Sequence, residues 1–308
     1  MVVYTELSAL ERDLGIPIKT LFAISNSISS HYRRVYIPKA GGGTRTLSVP
    51  DAALKRVQRA IATRLLAYEP VSPCAKAYRL AGGVRKNAIP HVGQPKLLKL
   101  DVYHFFESIN YSTVKDLAFP PERYAEKIRI LLAMLCYCGE ALPQGAPTSP
   151  VISNIVMRDF DEKVLTYCKE NGITYTRYCD DLTFSGDFDE GALRRFVEAR
   201  LSERGFLLNN AKKLCVRGSA RKVVTGVVVN EKPNTPRAYR QAIRQEVYYC
   251  TRFGTAEHLR RIGDARTPRQ YLSSLLGRVS YALHINPDSK ELHTCKENVL
   301  ALLREELK

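Results

Sequence analysis

The sequence predicts an α+β chain, and three stretches carry that expectation. Residues 173–186, Ile-Thr-Tyr-Thr-Arg-Tyr-Cys-Asp-Asp-Leu-Thr-Phe-Ser-Gly, read as two short strands around a tight turn, since β-branched and aromatic residues fill both arms. Residues 96–102, Lys-Leu-Leu-Lys-Leu-Asp-Val, follow Pro95 and read as a buried strand that ends near Asp101. Residues 236–308 read almost wholly as helix.

The other elements follow in order. Leu7, Leu10 and Leu14, then Ile18, Leu21 and Phe22, stand at helical spacing on either side of Gly15-Ile16-Pro17, so residues 1–30 form a small helical N-terminal extension. Arg33 to Lys39 and Thr44 to Pro50 flank a glycine run and form a basic β-hairpin. Asp51 caps a helix whose Leu54, Val57, Ile61 and Leu65 share one face, with Lys55, Arg56, Arg59 and Arg64 largely on the others. Residues 70–95 are a long connection rich in Gly, Pro and basic residues. Residues 120–140 form a helix pair or one long helix, with Ile128, Leu131, Leu132 and Leu135 buried. Two prolines and a glycine force a loop over 141–148; Ser149-Pro150 then opens a helix carrying Asn154 and Asp161. Glu190 to Arg204 is an amphipathic helix, residues 205–212 turn it into a strand, and residues 221–230 form a strand pair.

The chemistry concentrates at the Asp180-Asp181 turn. Adjacent carboxylates repel and raise each other's pKa unless a cation joins them. Asp suits tight turns, so the pair alone could be turn chemistry. Asp101, at the end of a strand laid beside that hairpin, would bring a third carboxylate. Three gathered carboxylates are what two-metal phosphoryl transfer requires.

Tyr178-Cys179-Asp180-Asp181 resembles the Tyr-x-Asp-Asp box of reverse transcriptases, and Asp101 resembles their first palm aspartate. Leu142-Pro143-Gln144-Gly145-Ala146-Pro147-Thr148-Ser149-Pro150 and Gly205-Phe206-Leu207-Leu208-Asn209-Asn210-Ala211-Lys212 are similar to two further boxes of that family, in the family's order. The resemblance covers about residues 30–290. It implies a right-hand polymerase with fingers, a palm of antiparallel sheet plus helices, and a helical thumb: fingers and palm over 31–235, thumb over 236–308. It implies Asp101, Asp180 and Asp181 as catalytic ligands of two Mg²⁺ ions, with Mn²⁺ as a substitute. Arg45 and Lys39 of the hairpin would lie near the triphosphate or template. Phe106, five residues past Asp101, would stack under the deoxyribose and exclude a 2′-hydroxyl by clash, with Phe105 left to the core. Gln144 would touch the incoming nucleotide, Gly145 would allow close backbone approach, and Lys212 would offset carboxylate charge near the metals.

Asn87-Ala88-Ile89-Pro90-His91 and Val224-Thr225-Gly226 look like the two marks of retron reverse transcriptases, although Gly82-Gly83-Val84-Arg85-Lys86 lacks the Gly-Arg-Ser that often precedes the first. Retron enzymes copy part of a cognate structured non-coding RNA, prime from a guanosine 2′-hydroxyl and leave a branched RNA–DNA hybrid. They commonly act in anti-phage defence with an effector protein. The implied partners are that RNA, deoxynucleoside triphosphates and the hybrid product. Asn87, His91, Val224, Thr225 and Gly226 would contact RNA. So would Arg240, Arg244, Tyr248 and Tyr249, from a C-terminal region where the nine arginines from Arg237 to Arg278 interleave with aromatic rings. Two alternatives stand beside this reading: a group II intron-like or diversity-generating reverse transcriptase, and a non-catalytic RNA-binding protein on a polymerase scaffold.

Composition agrees. The 308 residues carry 47 Lys+Arg against 31 Asp+Glu, a net charge of +16 that favours a polyanionic partner. No run of 18 apolar residues predicts a membrane span, and the N-terminus lacks a basic leader pattern. The eight cysteines are scattered, with only Cys136 and Cys138 close together, and read as reduced thiols of a cytoplasmic protein.

Overall fold

The computed structural model describes residues 3–38 and 42–306. Two N-terminal helices, α1 (Leu7–Leu14) and α2 (Ile18–Asn26), are separated where Gly15, at φ 61°, donates its N–H to the Glu11 carbonyl and ends the first. The hairpin follows as β1 (Tyr32–Pro38) and β2 (Thr44–Pro50), antiparallel with Tyr32 opposite Pro50 and Pro38 opposite Thr44. Helix α3 (Ala52–Ala60) starts at Asp51, whose Oδ1 accepts the Leu54 N–H at 2.8 Å, and runs on into one wide turn over Ile61–Leu65. Leu54, Val57, Ile61 and Leu65 are all buried, as their spacing predicts.

The connection over 70–95 contains a short helix, α4 (Val84–Ala88), before β3 (Lys96–Tyr103). Then come α5 (Tyr111–Thr113) and a single helix α6 (Glu126–Cys136), which settles the two possibilities for 120–140 in favour of one helix preceded by a turn. Helices α7 (Ser149–Val156) and α8 (Arg158–Glu170) break at Met157, so Asn154 and Asp161 lie on different helices rather than one. Strands β4 (Thr174–Tyr178) and β5 (Asp181–Gly186), helix α9 (Glu190–Ser202), and strands β6 (Leu207–Leu208) and β7 (Leu214–Arg217) complete this part. Strand β6 is only two residues long because the chain turns into a 3-10 helix at Asn210–Lys212. The strand pair over 221–230 shrinks likewise to β8 (Val223–Val224) and β9 (Val227–Val228). Four helices end the chain: α10 (Arg237–Phe253), α11 (Thr255–Ile262), α12 (Pro268–Ile285) and α13 (Lys290–Glu305).

Two compact units emerge. The first joins residues 1–82 to 98–214 and the second joins 83–97 to 215–308. In the first, the main sheet runs β4-β5-β3-β6. Strand β3 carries Leu98, Leu100 and Val102 into the core with Ile128, Leu132, Phe160 and Phe184, all buried. Each such side chain contributes about 1.5–3 kcal/mol by leaving water. In the second, one cluster gathers Ile243, Val247, Leu272, Leu275, Val279 and Leu292 from the terminal helices. A smaller cluster joins Ala88 and Leu97 to Val224, Val227, Val229 and Ile285. All eight cysteines are free thiols, and six of them are buried, at no more than 9 % exposure.

Candidate active site

The sheet order places the chemistry. β5 lies between β4 and β3, and the β4–β5 pairing closes with Tyr178 opposite Asp181, which leaves Cys179 and Asp180 as a two-residue turn. Cys179 has φ 62°, a conformation that costs a non-glycine residue about 1–2 kcal/mol. The Val102 N–H donates to the Asp180 carbonyl at 3.0 Å and ties the turn to the end of β3, where Asp101 sits. Asp101, Asp180 and Asp181 therefore line one cavity of about 590 Å³, together with Arg45, Phe106, Gln144 and Lys212.

Asp101 is 6 % exposed and fully engaged. Its Oδ2 accepts from Lys212 Nζ at 2.8 Å and its Oδ1 from Asn209 Nδ2 at 2.9 Å, while its carbonyl accepts the Asn209 N–H at 2.8 Å. The hydrogen bond from Lys212 Nζ to Asp101 and the surrounding carboxylates hold the Lys212 ammonium above its usual pKa. Burial pushes the Asp181 carboxyl up; Lys99 opposes the rise, and the charges of Asp180 and Asp101 add to it. Among the described residues no three His, Cys, Asp or Glu side chains form a preformed metal cage. The donor chemistry nonetheless fits Mg²⁺, a hard cation that binds through one or two carboxylates and completes its shell with water and substrate phosphates. Asp101 and Asp181 supply hard oxygens where negative charge is in excess, and Lys212 offsets part of that charge.

Phe106 is half-buried at the cavity wall with its ring edge-on to Phe105, centroids 5.3 Å apart. Phe105 itself is 3 % exposed and packs on Phe206, in the core as expected from sequence. Gln144 reaches the cavity by donating Nε2 to Glu107 Oε1 at 2.9 Å, and its carbonyl accepts the Ser48 N–H of β2 at 2.8 Å. Gly145 has φ 117°, and a Cβ there would come within 3.0 Å of the Ser48 carbonyl, so the close approach needs glycine. Arg45, opposite Ile37 in the hairpin, also faces an adjoining cavity of about 500 Å³ lined by Lys55 and Arg59. Lys39 lies outside the described residues.

The residues assigned to RNA fare differently. Asn87 and His91 are wholly buried, so neither side chain offers a surface to a nucleic acid, contrary to the expected contact. Their role is internal: Asn87 Nδ2 donates to Thr225 Oγ1 at 3.3 Å, where Thr225 (φ 45°) and Gly226 (φ 82°) form the two-residue turn between β8 and β9. Two positive φ values there match a type I′ hairpin. Val224 is buried beneath it, again against direct contact; Gly226 is exposed. In the helical part, Arg244 is ion-paired with Glu291 at 2.5 Å and Arg240 donates to the Thr235 carbonyl, so both guanidinium groups are partly spent on the fold. Tyr248 is 59 % exposed; Tyr249 is less so, with its ring stacked on His258. Asn209, Glu107, Asp161 and Arg177 also take part around the site, although the sequence alone gives them no role. Asn209 could have been found, since it falls inside the Gly-Phe-x-x-Asn-x-x-Lys box.

Residues 37–229 match the model of the family described as reverse transcriptase (RNA-dependent DNA polymerase). The chain is 33 % identical over 282 residues to the retron Mx65 reverse transcriptase of Myxococcus xanthus, covering 85 % of this chain and 63 % of that one. It is 30 % identical over 275 residues to the retron Ec83 reverse transcriptase of Escherichia coli, covering 84 % of each. The chain thus spans less than two thirds of the Myxococcus enzyme and most of the Escherichia one. A Candida albicans telomerase, solved with a fragment of telomeric RNA, is similar in fold at TM-score 0.50 and 9 % identity, over 89 % of this chain and 63 % of that one. That likeness bears out the α+β right-hand polymerase fold predicted from sequence. With the family model and the similarity to retron enzymes over most of its length, the chain belongs to the reverse transcriptases, in their retron branch.

Proposed function

We propose that this chain is an RNA-directed DNA polymerase that copies part of a cognate structured RNA into DNA and leaves a branched RNA–DNA hybrid in anti-phage defence. The observation that carries the reading is the convergence of Asp101, Asp180 and Asp181 with Lys212 in one cavity walled by Phe106, Gln144 and Arg45. A scaffold that only bound RNA would have no need of three carboxylates there, and clustered like charges cost stability.

The residues divide the work. Arg45, with its fixed fork of donors, suits the triphosphate. Phe106 lies under the sugar and rejects a 2′-hydroxyl. Gln144 and the backbone at Gly145 form the floor beneath the incoming base. Asp101, Asp180 and Asp181 would hold two divalent cations, which would supply Lewis-acid charge for phosphoryl transfer. Lys212 limits the repulsion among the carboxylates.

The thumb, residues 236–308, is the surface for the RNA partner. Arg237, Arg252 and Arg269 are exposed, and Tyr248 offers a ring for stacking on an unpaired base.

Primer extension on an RNA template with Mg²⁺ and deoxynucleotides tests the reading. Asp180→Asn abolishes extension and leaves RNA affinity largely intact. Near-wild-type extension by that variant refutes the assignment. Sequencing the 5′ junction of the product made on the RNA encoded beside the gene tests the branch: a linear, unbranched product removes the retron part and leaves the polymerase.

A further inference from the structure

Behind the Asp180-Asp181 turn lies a polar group that the proposed chemistry does not use. Arg177 on β4 and Asp161 on α8 are both fully buried. The Arg177 guanidinium grips Asp161 in a fork, Nε to Oδ1 at 2.9 Å and an Nη to Oδ2 at 2.6 Å. Tyr175, two residues earlier on the same strand, donates its hydroxyl to Asp161 Oδ1 at 2.9 Å and steadies the carboxylate. The remaining Nη of Arg177 donates to the Cys179 carbonyl at 3.0 Å.

That carbonyl belongs to the peptide joining Cys179 to Asp180. Cys179 stands at φ 62° without being glycine, in a two-residue turn whose first position favours glycine. Something must hold it there. Strained backbone persists where its surroundings over-determine it. The Val102 N–H fixes the next carbonyl, that of Asp180, and Arg177 fixes this one. Between them the two peptides that flank Asp180 are held against flipping, and with them the backbone that carries Asp180 and Asp181.

Stability alone does not explain the pair. A buried ion pair can often be exchanged for apolar residues of similar volume at no loss. What an apolar pair could not supply is a rigid donor aimed at the Cys179 carbonyl, and a lysine could not serve the carboxylate fork and the carbonyl together.

We propose that Arg177, locked by Asp161, is a positioning residue that sets the aim of Asp180 and Asp181 toward the divalent cations; this rests on the polymerase reading above. The test uses the full chain and three variants: Arg177→Met with Asp161→Leu in one protein, Arg177→Lys, and Asp180→Asn as reference. Each is assayed for Mn²⁺ binding by the loss of the free-ion electron paramagnetic resonance signal, for RNA affinity, for Tm, and for kcat and KM of deoxynucleotide addition.

The expected result is a roughly 10–100-fold loss of Mn²⁺ affinity and of kcat in the double variant, in the range typical of groups that orient metal ligands. RNA affinity and KM stay within about two-fold of wild type. Arg177→Lys recovers only part of the loss. If the double variant folds and keeps wild-type Mn²⁺ affinity and kcat, the proposal is overturned. If it fails to fold, Arg177→Lys decides, because full Mn²⁺ affinity in that folded variant overturns the proposal equally. A wild-type chain that binds Mn²⁺ through Asp180 yet extends no primer sinks the polymerase reading, and the Mn²⁺ arm still judges Arg177.

Discussion

Replacing Lys212 by Met removes the cation that touches Asp101, and the structure sets the size of the effect. Two unit charges about 4 Å apart interact by about 4 kcal/mol where the effective dielectric constant is near 20. Asp101 is nearly buried, with its side chain 8 % exposed, but the lysine is 59 % exposed and solvent screens much of that attraction. Exposed pairs are worth about 0–1 kcal/mol, and hydrogen bonds to charged groups about 1.5–3 kcal/mol. The mixed case lies near 1–2 kcal/mol, softened because Asn209 continues to donate to Asp101. In EDTA, Lys212→Met should therefore lower Tm by roughly 2–6 °C. A divalent cation on Asp101 takes over the role of the ammonium, so saturating Mg²⁺ should close most of that gap. By linkage, the stability regained equals a gain in metal affinity, roughly 5–30-fold for 1–2 kcal/mol. Differential scanning fluorimetry with and without Mg²⁺, paired with Mn²⁺ titration, measures both sides of the cycle. A Tm loss of equal size in EDTA and in Mg²⁺ would falsify the idea that the lysine and the metal share Asp101.

Phe106→Ala should admit ribonucleotides while some deoxynucleotide incorporation survives; unchanged discrimination between the two sugars returns the ring to a packing role. Arg252→Gln with Arg269→Gln should weaken binding to any RNA and shallow the slope of log affinity against log salt by roughly 0.7 per lost contact. Arg244→Gln should in addition lower Tm through its Glu291 partner, which a salt titration and a melt distinguish. Burial alone would push Glu246 up, but donation from Arg278 and Tyr271 outweighs it and brings the carboxyl below its ordinary range. A depressed folded pKa contributes stability above the unfolded value that fades as pH falls through the folded one. Glu246→Gln should thus cost about 1–3 kcal/mol at neutral pH, and the gap to wild type should narrow as a Tm series descends below about pH 4; a gap constant with pH excludes that linkage.

The Asp180-Asp181 hairpin was legible because its signals are local. Alternating β-branched and aromatic residues and a two-residue turn fall within fourteen positions, and the pairing confirms them residue by residue. The helix over 52–60 was equally plain from Asp51 and the spacing of Leu54 and Val57. Arg177 was not legible. An arginine within a strand reads as a solvent-facing residue, and only the packing of α8 reveals the buried Asp161 that pairs with it. Asn87 and His91 misled for a related reason. The resemblance of their motif to the retron mark implied RNA contact, but α4 buries Asn87 and the 3-10 turn Ile89–His91 that follows it buries His91. Arg240 and Arg244 look like free phosphate ligands in a sequence, since partners at distant positions such as Glu291 cannot be foreseen from helical periodicity.

The second unit is not continuous along the chain, and this bears on how a ribosome can make it. Ala88 and Leu97 are synthesised early, yet the residues that cover them, Val224, Val227, Val229 and Ile285, emerge much later. At about 5–20 residues per second the wait lasts on the order of 10–40 s. Meanwhile residues 98–214 can complete the first unit as an excursion between the two halves of the second. The apolar face of α4 is exposed throughout that interval, a window in which non-native association competes with folding. A C-terminal fragment beginning at residue 215 would never bury that cluster at all. A stand-alone second unit requires residues 83–97 to be grafted back onto it by a linker.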